Sequence, residues 1–196
     1  MQPRTVKQAV ESSDALSMIN SQYGNDETIR SRMIAVLAAD GVDEAGLKAM
    51  RSALEAEKAM VKIVSTRLGE LTGSSGNKIK IDFDFLTTSS VLYDAVYVPG
   101  GADSVEALRD EPDAVMFVDE AFKHCKPIAA DGNGVNLLMD TKIGKQLEDE
   151  NSPNDALQEL GVIIHIRPGK TAKEFIEAIK QHRFWQREMQ AKKMMV

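Results

Sequence analysis

Between Tyr93 and Leu138 two apolar runs, Ala95 to Val98 and Pro127 to Ala130, each end in a glycine-containing turn that opens a helical pattern. Two strand-turn-helix units in succession call for parallel strands, because a crossover helix is what returns the chain to the same end of a sheet. Parallel sheets are covered by helices on both faces, so their strands must be apolar almost throughout. Met33 to Ala39 meets that demand and stops at Asp40-Gly41; Val61 to Ser65 and Val162 to Ile166 meet it over shorter runs. Five such strands alternating with helices specify an α/β fold: a flavodoxin-like, doubly wound parallel sheet of order 2-1-3-4-5 in three layers, α/β/α. In such a sheet the turns at the carboxyl ends of the strands are where ligands and catalytic groups collect.

The remaining segments fit around that frame. Asp43 and Glu44 open a helix with Leu47, Met50, Ala53, Leu54 and Met60 at helical spacing. Thr66 to Asn77, with GELTGSSGN, reads as an exposed loop. Lys78 to Phe85 alternates as KIKIDFDF, the period of a half-exposed strand or hairpin arm with Ile79, Ile81, Phe83 and Phe85 on one face. A short helix from Ser104 to Arg109 is broken at Glu111-Pro112. A second, from about Asp113 to His124, turns Val115, Met116, Val118, Ala121 and Phe122 inward. A last helix from Thr171 to about Arg183 buries Phe175, Ile176 and Ile179. Residues 1–29 are polar and read as a linker or arm, 30–184 as the folded domain, and 185–196 as a C-terminal tail. Within the arm, Leu16, Met18 and Ile19 form the apolar cluster.

Composition excludes several functions. A net charge of -6 argues against nucleic acid, whose binding depends on neutralising phosphates. No apolar run approaches the roughly 20 residues needed to span a bilayer, so no membrane partner is expected. A single cysteine, Cys125, rules out an intrachain disulfide and a cysteine-based metal site, and fits a reducing, cytoplasmic compartment. The N-terminus lacks the apolar core of a signal peptide, so the chain reads as soluble and unprocessed.

The candidate pocket is framed by Asp40, Asp43 and Glu44 after the first strand, Gly100 and Gly101 after the third, and Asp131, Gly132 and Asn133 after the fourth. Asp131 holds the elbow position at which such sheets present a nucleophile, and its alternative role is to cap the following helix. The acids on this rim disfavour phosphate, and neither a dinucleotide fingerprint nor a Walker lysine is present. Cys125 lies before its strand, at the opposite edge of the sheet; its lysine and histidine neighbours could activate it, or it is a structural thiol. His124, His165 and His182 have no metal-ligand spacing, so no metal is expected. Phe184 and Trp185 either anchor the last helix on its own domain or dock on another subunit.

Four stretches, RMIAVLAADGVDEAGLKAM, FLTTSSVLYDAVYVPGG, AFKHCKPIAADGNGVNLL and IEAIKQHRFWQRE, together resemble the C-terminal domain of large-subunit haem catalases. The likeness runs over roughly residues 15 to 190, and that domain is similar in turn to the PfpI and class I glutamine amidotransferase-like superfamily. The resemblance implies a partner, the catalase core with its sister subunits in a homotetramer, and a cofactor, haem, that resides in that core; none is expected in this chain. It implies an accessory, non-catalytic role that stabilises the tetramer of an enzyme decomposing hydrogen peroxide, with chaperone-like binding of unfolded clients as an added activity. The ten methionines, adaptable at promiscuous surfaces, suit the latter, with Met189, Met194 and Met195 in the tail as its candidates. PfpI-type enzymes carry cysteine where this chain has Asp131, and an acid where it has Gly46. The alternative is a stand-alone PfpI or glyoxalase-like enzyme that uses Asp131 or Cys125.

Overall fold

A computed structural model describes residues 28–144, 158–165 and 171–187. The arm with Leu16, Met18 and Ile19, the end of the fifth expected strand at Ile166, and the tail methionines lie outside the described residues.

The five expected strands are β1 (Met33–Leu37), β2 (Met60–Ser65), β6 (Ala95–Val98), β7 (Ile128–Asp131) and β8 (Val162–His165). They lie parallel in the order β2-β1-β6-β7-β8, and a sixth, β5 (Phe83–Asp84), adds itself beside β2. The helices are α1 (Glu44–Ala56), α2 (Ala102–Arg109), α3 (Pro112–Lys123), α4 (Gly134–Met139) and α5 (Thr171–Gln181). Alternate residues of β1 serve opposite layers. Ile34 and Val36 pack with Leu47, Leu54, Phe175 and Ile179, whereas Ala35 and Leu37 pack with Leu108, Phe117, Val118 and Leu137. Burial on both faces is why the strand is apolar without interruption, and each buried aliphatic side chain there is worth about 1.5–3 kcal/mol.

Four local expectations change. The loop over Thr66 to Asn77 contains β3 (Glu70–Thr72), which pairs antiparallel with β4 (Lys78–Lys80) in a small hairpin. The alternating run Lys78 to Phe85 is two strands, because Asp82 interrupts it to seal the edge of β2. Its carboxylate accepts from the Ile63 amide at 2.9 Å, and its own amide donates to the Ile63 carbonyl at 2.9 Å. Met60 is the first residue of β2; α1 has already ended at Ala56, and Lys58 turns the chain with φ +64°. On α3, Met116 points to solvent and Phe117 inward, since Ala114, Phe117, Val118, Ala121 and Phe122 share one helical face.

At the amino-terminal end of the sheet, Asp94 accepts from the Met33 amide at 2.9 Å and pairs with Arg32 at 3.4 Å, with His182 at 3.6 Å. Burial opposes its ionisation, but His182, the Met33 amide and Arg32 outweigh that and hold its pKa at about 2. A carboxyl depressed in the fold gives stability that is complete above its unfolded pKa and is lost as pH falls from about 4 toward 2. Asp94→Asn is therefore expected to lower stability on the order of 1 kcal/mol at pH 7, allowing for partial solvent screening. Denaturant midpoints of the two proteins should converge by pH 2; an undiminished gap there would contradict this account.

Candidate functional site

Three turns meet at the carboxyl ends of β1, β6 and β7. The first two are locked together: the Asp43 amide donates to the Gly100 carbonyl at 2.8 Å. Gly101, at φ +117°, lies so close to the first turn that a Cβ there would stand 2.4 Å from the Gly41 carbonyl oxygen and 2.8 Å from the Asp43 nitrogen. Asp43 also caps α1, accepting from the Ala45 amide at 3.1 Å.

Asp131, the last residue of β7, closes the third side and is 2% exposed. Its Oδ2 accepts from the Tyr97 hydroxyl at 2.6 Å and its Oδ1 from the Gly100 amide at 3.0 Å. Burial raises its pKa; the Tyr97 and Gly100 bonds act the other way, Asp43 adds to the rise and His165 subtracts from it. The Tyr97 hydroxyl is pushed strongly upward by burial, and further by Asp131 and Asp43, so it remains a donor throughout the physiological range. A nucleophilic carboxylate needs an oxygen free to reach substrate. Here each oxygen is engaged, and the group is sealed from solvent. Nor does Asp131 cap a helix: the N-cap of α4 is Asn133, whose side chain makes no capping bond.

The remaining rim acids are committed to the hairpin. Asp40 accepts from the Thr72 amide at 2.6 Å and from Arg67 Nη2 at 2.8 Å. Glu44 takes the Ser75 and Asn77 amides at 2.9 and 3.1 Å and the Asn77 side-chain amide at 2.6 Å. The pKa values of both are lowered, chiefly by the Arg67 bond for Asp40 and the Asn77 side-chain bond for Glu44. These carboxylates tie β3 and β4 over the start of α1 instead of facing a shared cleft. Gly132 donates its amide to the His165 carbonyl at 2.9 Å, and Asn133 is exposed. Gly46 does face the elbow, since a Cβ on it would lie 3.9 Å from Asp131 Oδ1.

His165, which has no metal-ligand spacing in the sequence, is the register partner of Asp131 across β7 and β8, where it pairs with Glu174 at 2.6 Å. A register alignment of the fourth and fifth strands would have revealed it. Nothing in the sequence pattern singles out Arg187. That guanidinium is buried, with bonds to the carbonyls of Leu160, Phe122 and Lys126, and it stacks 4.3 Å above the Phe122 ring. Phe184 is buried in its own domain, with Trp185 half-buried beside it. Cys125 is at the opposite edge from Asp131 and 1% exposed, and its carbonyl accepts from the Phe184 amide at 2.8 Å.

Four described side chains of the types that ligate a haem iron are already committed or enclosed. His165 is held by Glu174, the Tyr93 hydroxyl by Thr88, the Tyr97 hydroxyl by Asp131, and Cys125 is enclosed. Among the described residues no group of three or more His, Cys, Asp or Glu could hold a metal ion, and no helix is long and apolar enough to cross a membrane.

Comparison with known proteins gives the frame for this geometry. A family model described as the C-terminal domain found in long catalases matches residues 30–189. Catalase HPII of Mycobacterium avium is 43% identical over 193 residues, spanning 96% of this chain and 27% of that protein. Catalase-2 of Bacillus subtilis is 36% identical over 170 residues, 85% of this chain and 22% of that one. The chain thus spans about a quarter of the length of the curated relatives it matches. Among solved structures, oxidised DJ-1 of Toxoplasma gondii aligns with a TM-score of 0.63 at 16% identity over 84% of this chain and 98% of that one. A ThiJ/PfpI domain protein from Brachyspira murdochii aligns with a TM-score of 0.57 at 19% identity over 77% and 95%. These two share the fold.

Proposed function

The chain belongs to the C-terminal domain family of long catalases, and from that membership we propose that it works as a non-catalytic accessory domain. It stabilises the tetramer of a haem enzyme that decomposes hydrogen peroxide, and the haem and the catalytic groups belong to the catalase portion of that enzyme. The observation that carries this reading is Asp131: the position where the fold presents a nucleophile holds a carboxylate with both oxygens bonded and 2% of its surface exposed. The lone thiol, Cys125, is buried and in no disulfide, which suits the reducing cytoplasm.

The test is a fusion in which this chain replaces the C-terminal domain of the Mycobacterium avium relative, compared with the same catalase portion lacking any such domain. The fusion is expected to keep its peroxide-decomposing activity longer on heating and to remain tetrameric at higher temperature. Equal half-lives would sink the accessory reading. Methylglyoxal turnover by the purified chain should match buffer alone, with Asp131→Asn changing nothing; turnover lost in that variant would instead establish a stand-alone enzyme.

A second reading is favoured by the exposure of Met60, Met116 and Met139, at 44%, 57% and 43%. Such polarizable side chains adapt to varied apolar partners, and the domain would then hold unfolded clients. Equimolar chain should suppress light scattering by a heated client protein; unchanged scattering would remove this activity.

A further inference from the structure

Charge collects at the amino-terminal end of the sheet, away from the elbow. Arg32, Asp94 and Lys126 stand within two residues of the starts of β1, β6 and β7, three neighbouring strands. The chain after α5 crosses the same end: the Phe184 amide donates to the Cys125 carbonyl at 2.8 Å, and His182 lies 3.6 Å from Asp94. Arg183 is thereby held beside Lys126. Both segments turn through left-handed backbone at a residue other than glycine, Cys125 at φ +58° and His182 at φ +67°. Such backbone is strained, and strain of this kind collects at binding sites and switches.

The charges here do not balance. Lys126 is 2% exposed and donates from Nζ to the Ser90 carbonyl at 2.6 Å, which uses one of its three donors. Arg183, half-buried, donates from Nη1 to the His182 carbonyl at 2.8 Å, which uses one of five. Neither forms an ion pair among the described residues, and Asp94 is engaged by Arg32 and His182. Burial, aided by Arg183, pulls the Lys126 pKa down to about 8 against the opposing pull of Asp94. Burial lowers that of Arg183 too, with Asp94 opposing and Arg32 adding to the fall. The carboxyl-terminal ends of α3 and α5 each supply about half a negative charge. With Arg32 set against Asp94, the cations Lys126, Arg183 and Arg187 exceed those two helix ends by about two charges.

Like charges drawn together out of water are costly, and a bound counter-ion removes that cost. The unused donors say which kind. A guanidinium fork matches two oxygens of one group, and an ammonium behind it reaches a further oxygen, a set that suits an oxyanion better than a halide. Arg183 and His182 are both partly exposed, so the way in passes over them. We propose that Arg183 and Lys126 form a binding site for a small oxyanion, inorganic phosphate or a carboxylate, at the amino-terminal end of the sheet. Asp94 borders that site and competes with the anion for the same cations.

The test is equilibrium dialysis of this chain against radiolabelled phosphate, together with its melting temperature in phosphate, acetate and chloride at one ionic strength. Phosphate at about ten times its dissociation constant should raise the melting temperature by about 3 °C over chloride. Arg183→Gln, at a partly exposed position, should fold normally and bind about tenfold more weakly. Lys126→Gln, which keeps a donor for the Ser90 carbonyl without the charge, should lose affinity likewise. Asp94→Asn removes the competing carboxylate and should tighten binding about fivefold even as it lowers stability, an opposition that a purely structural cluster would not show. A larger rise in acetate than in phosphate would make the ligand a carboxylate at the same site. Equal melting temperatures in the three salts, or phosphate affinity unchanged by Arg183→Gln, would overturn the site.

Discussion

Arg187→Ala should destabilise the domain by about 3–5 kcal/mol, the range for stripping a buried, multiply bonded charge of its partners. For a domain of this size that is a fall of roughly 10 °C in melting temperature. The guanidinium is 5% exposed and donates to three carbonyls, of Leu160, Phe122 and Lys126, that belong to separate segments of the chain. Without it the Leu160 and Lys126 carbonyls lose this donor, the Phe122 carbonyl keeps only its bond from the Cys125 amide, and the Phe122 and Phe184 rings, 4.3 and 5.6 Å from the guanidinium carbon, lose their stacking partner. Burial pulls the Arg187 pKa down to about 9, so it stays charged at neutral pH. Arg187→Lys retains a charge but not the planar fork and should fall between the two. A loss below about 1 kcal/mol in urea unfolding of the alanine variant would contradict the clamp.

Gly101→Ala is expected to cost about 3–5 kcal/mol, combining backbone strain with overpacking. At φ +117° an L side chain is strained, and its Cβ would meet the Gly41 oxygen at 2.4 Å and the Val42 Cα at 2.8 Å. These are backbone atoms of the neighbouring turn, which cannot move without parting the Asp43 amide from the Gly100 carbonyl. Gly69 is the control: its φ is +104°, yet nothing lies within 4 Å of an added Cβ. Gly69→Ala should show the strain alone, about 1–3 kcal/mol. If the two substitutions cost the same, the close approach of the first and second turns carries no energy of its own.

The layers were legible in the sequence because β1, β6 and the first three residues of β7 are apolar throughout and lead into glycine-containing turns, a pattern that few other folds require. Shorter pieces were not. β3 and β5 have three and two residues, too few for alternation to identify the strand beside them. In KIKIDFDF the period of two continues unbroken through Asp82, where the chain changes partner. The turn after the fourth parallel strand is legible in the sequence, but the state of Asp131 depends on Tyr97, which reads as one more core residue although its hydroxyl bonds Asp131. His165 comes to the same place through strand register, a long-range property. Arg187 escaped notice because a basic residue in a polar stretch gives no sign of burial; Leu160 and Phe122, which enclose it, are distant in sequence.

The Arg187 clamp also sets an order of assembly during synthesis. Its acceptor carbonyls, on residues 122, 126 and 160, leave the ribosome before it does, as does Cys125, whose carbonyl receives the Phe184 amide. Chains fold from the N-terminus as they emerge. Whatever part of the polypeptide precedes this domain is free to fold first, while the domain itself closes only when residue 187 arrives. Ribosome stalling or truncation short of that residue would leave the Leu160 and Lys126 carbonyls without this donor and the Phe122 ring without its cation. The clamp thereby makes the arrival of residue 187 a condition for a finished domain.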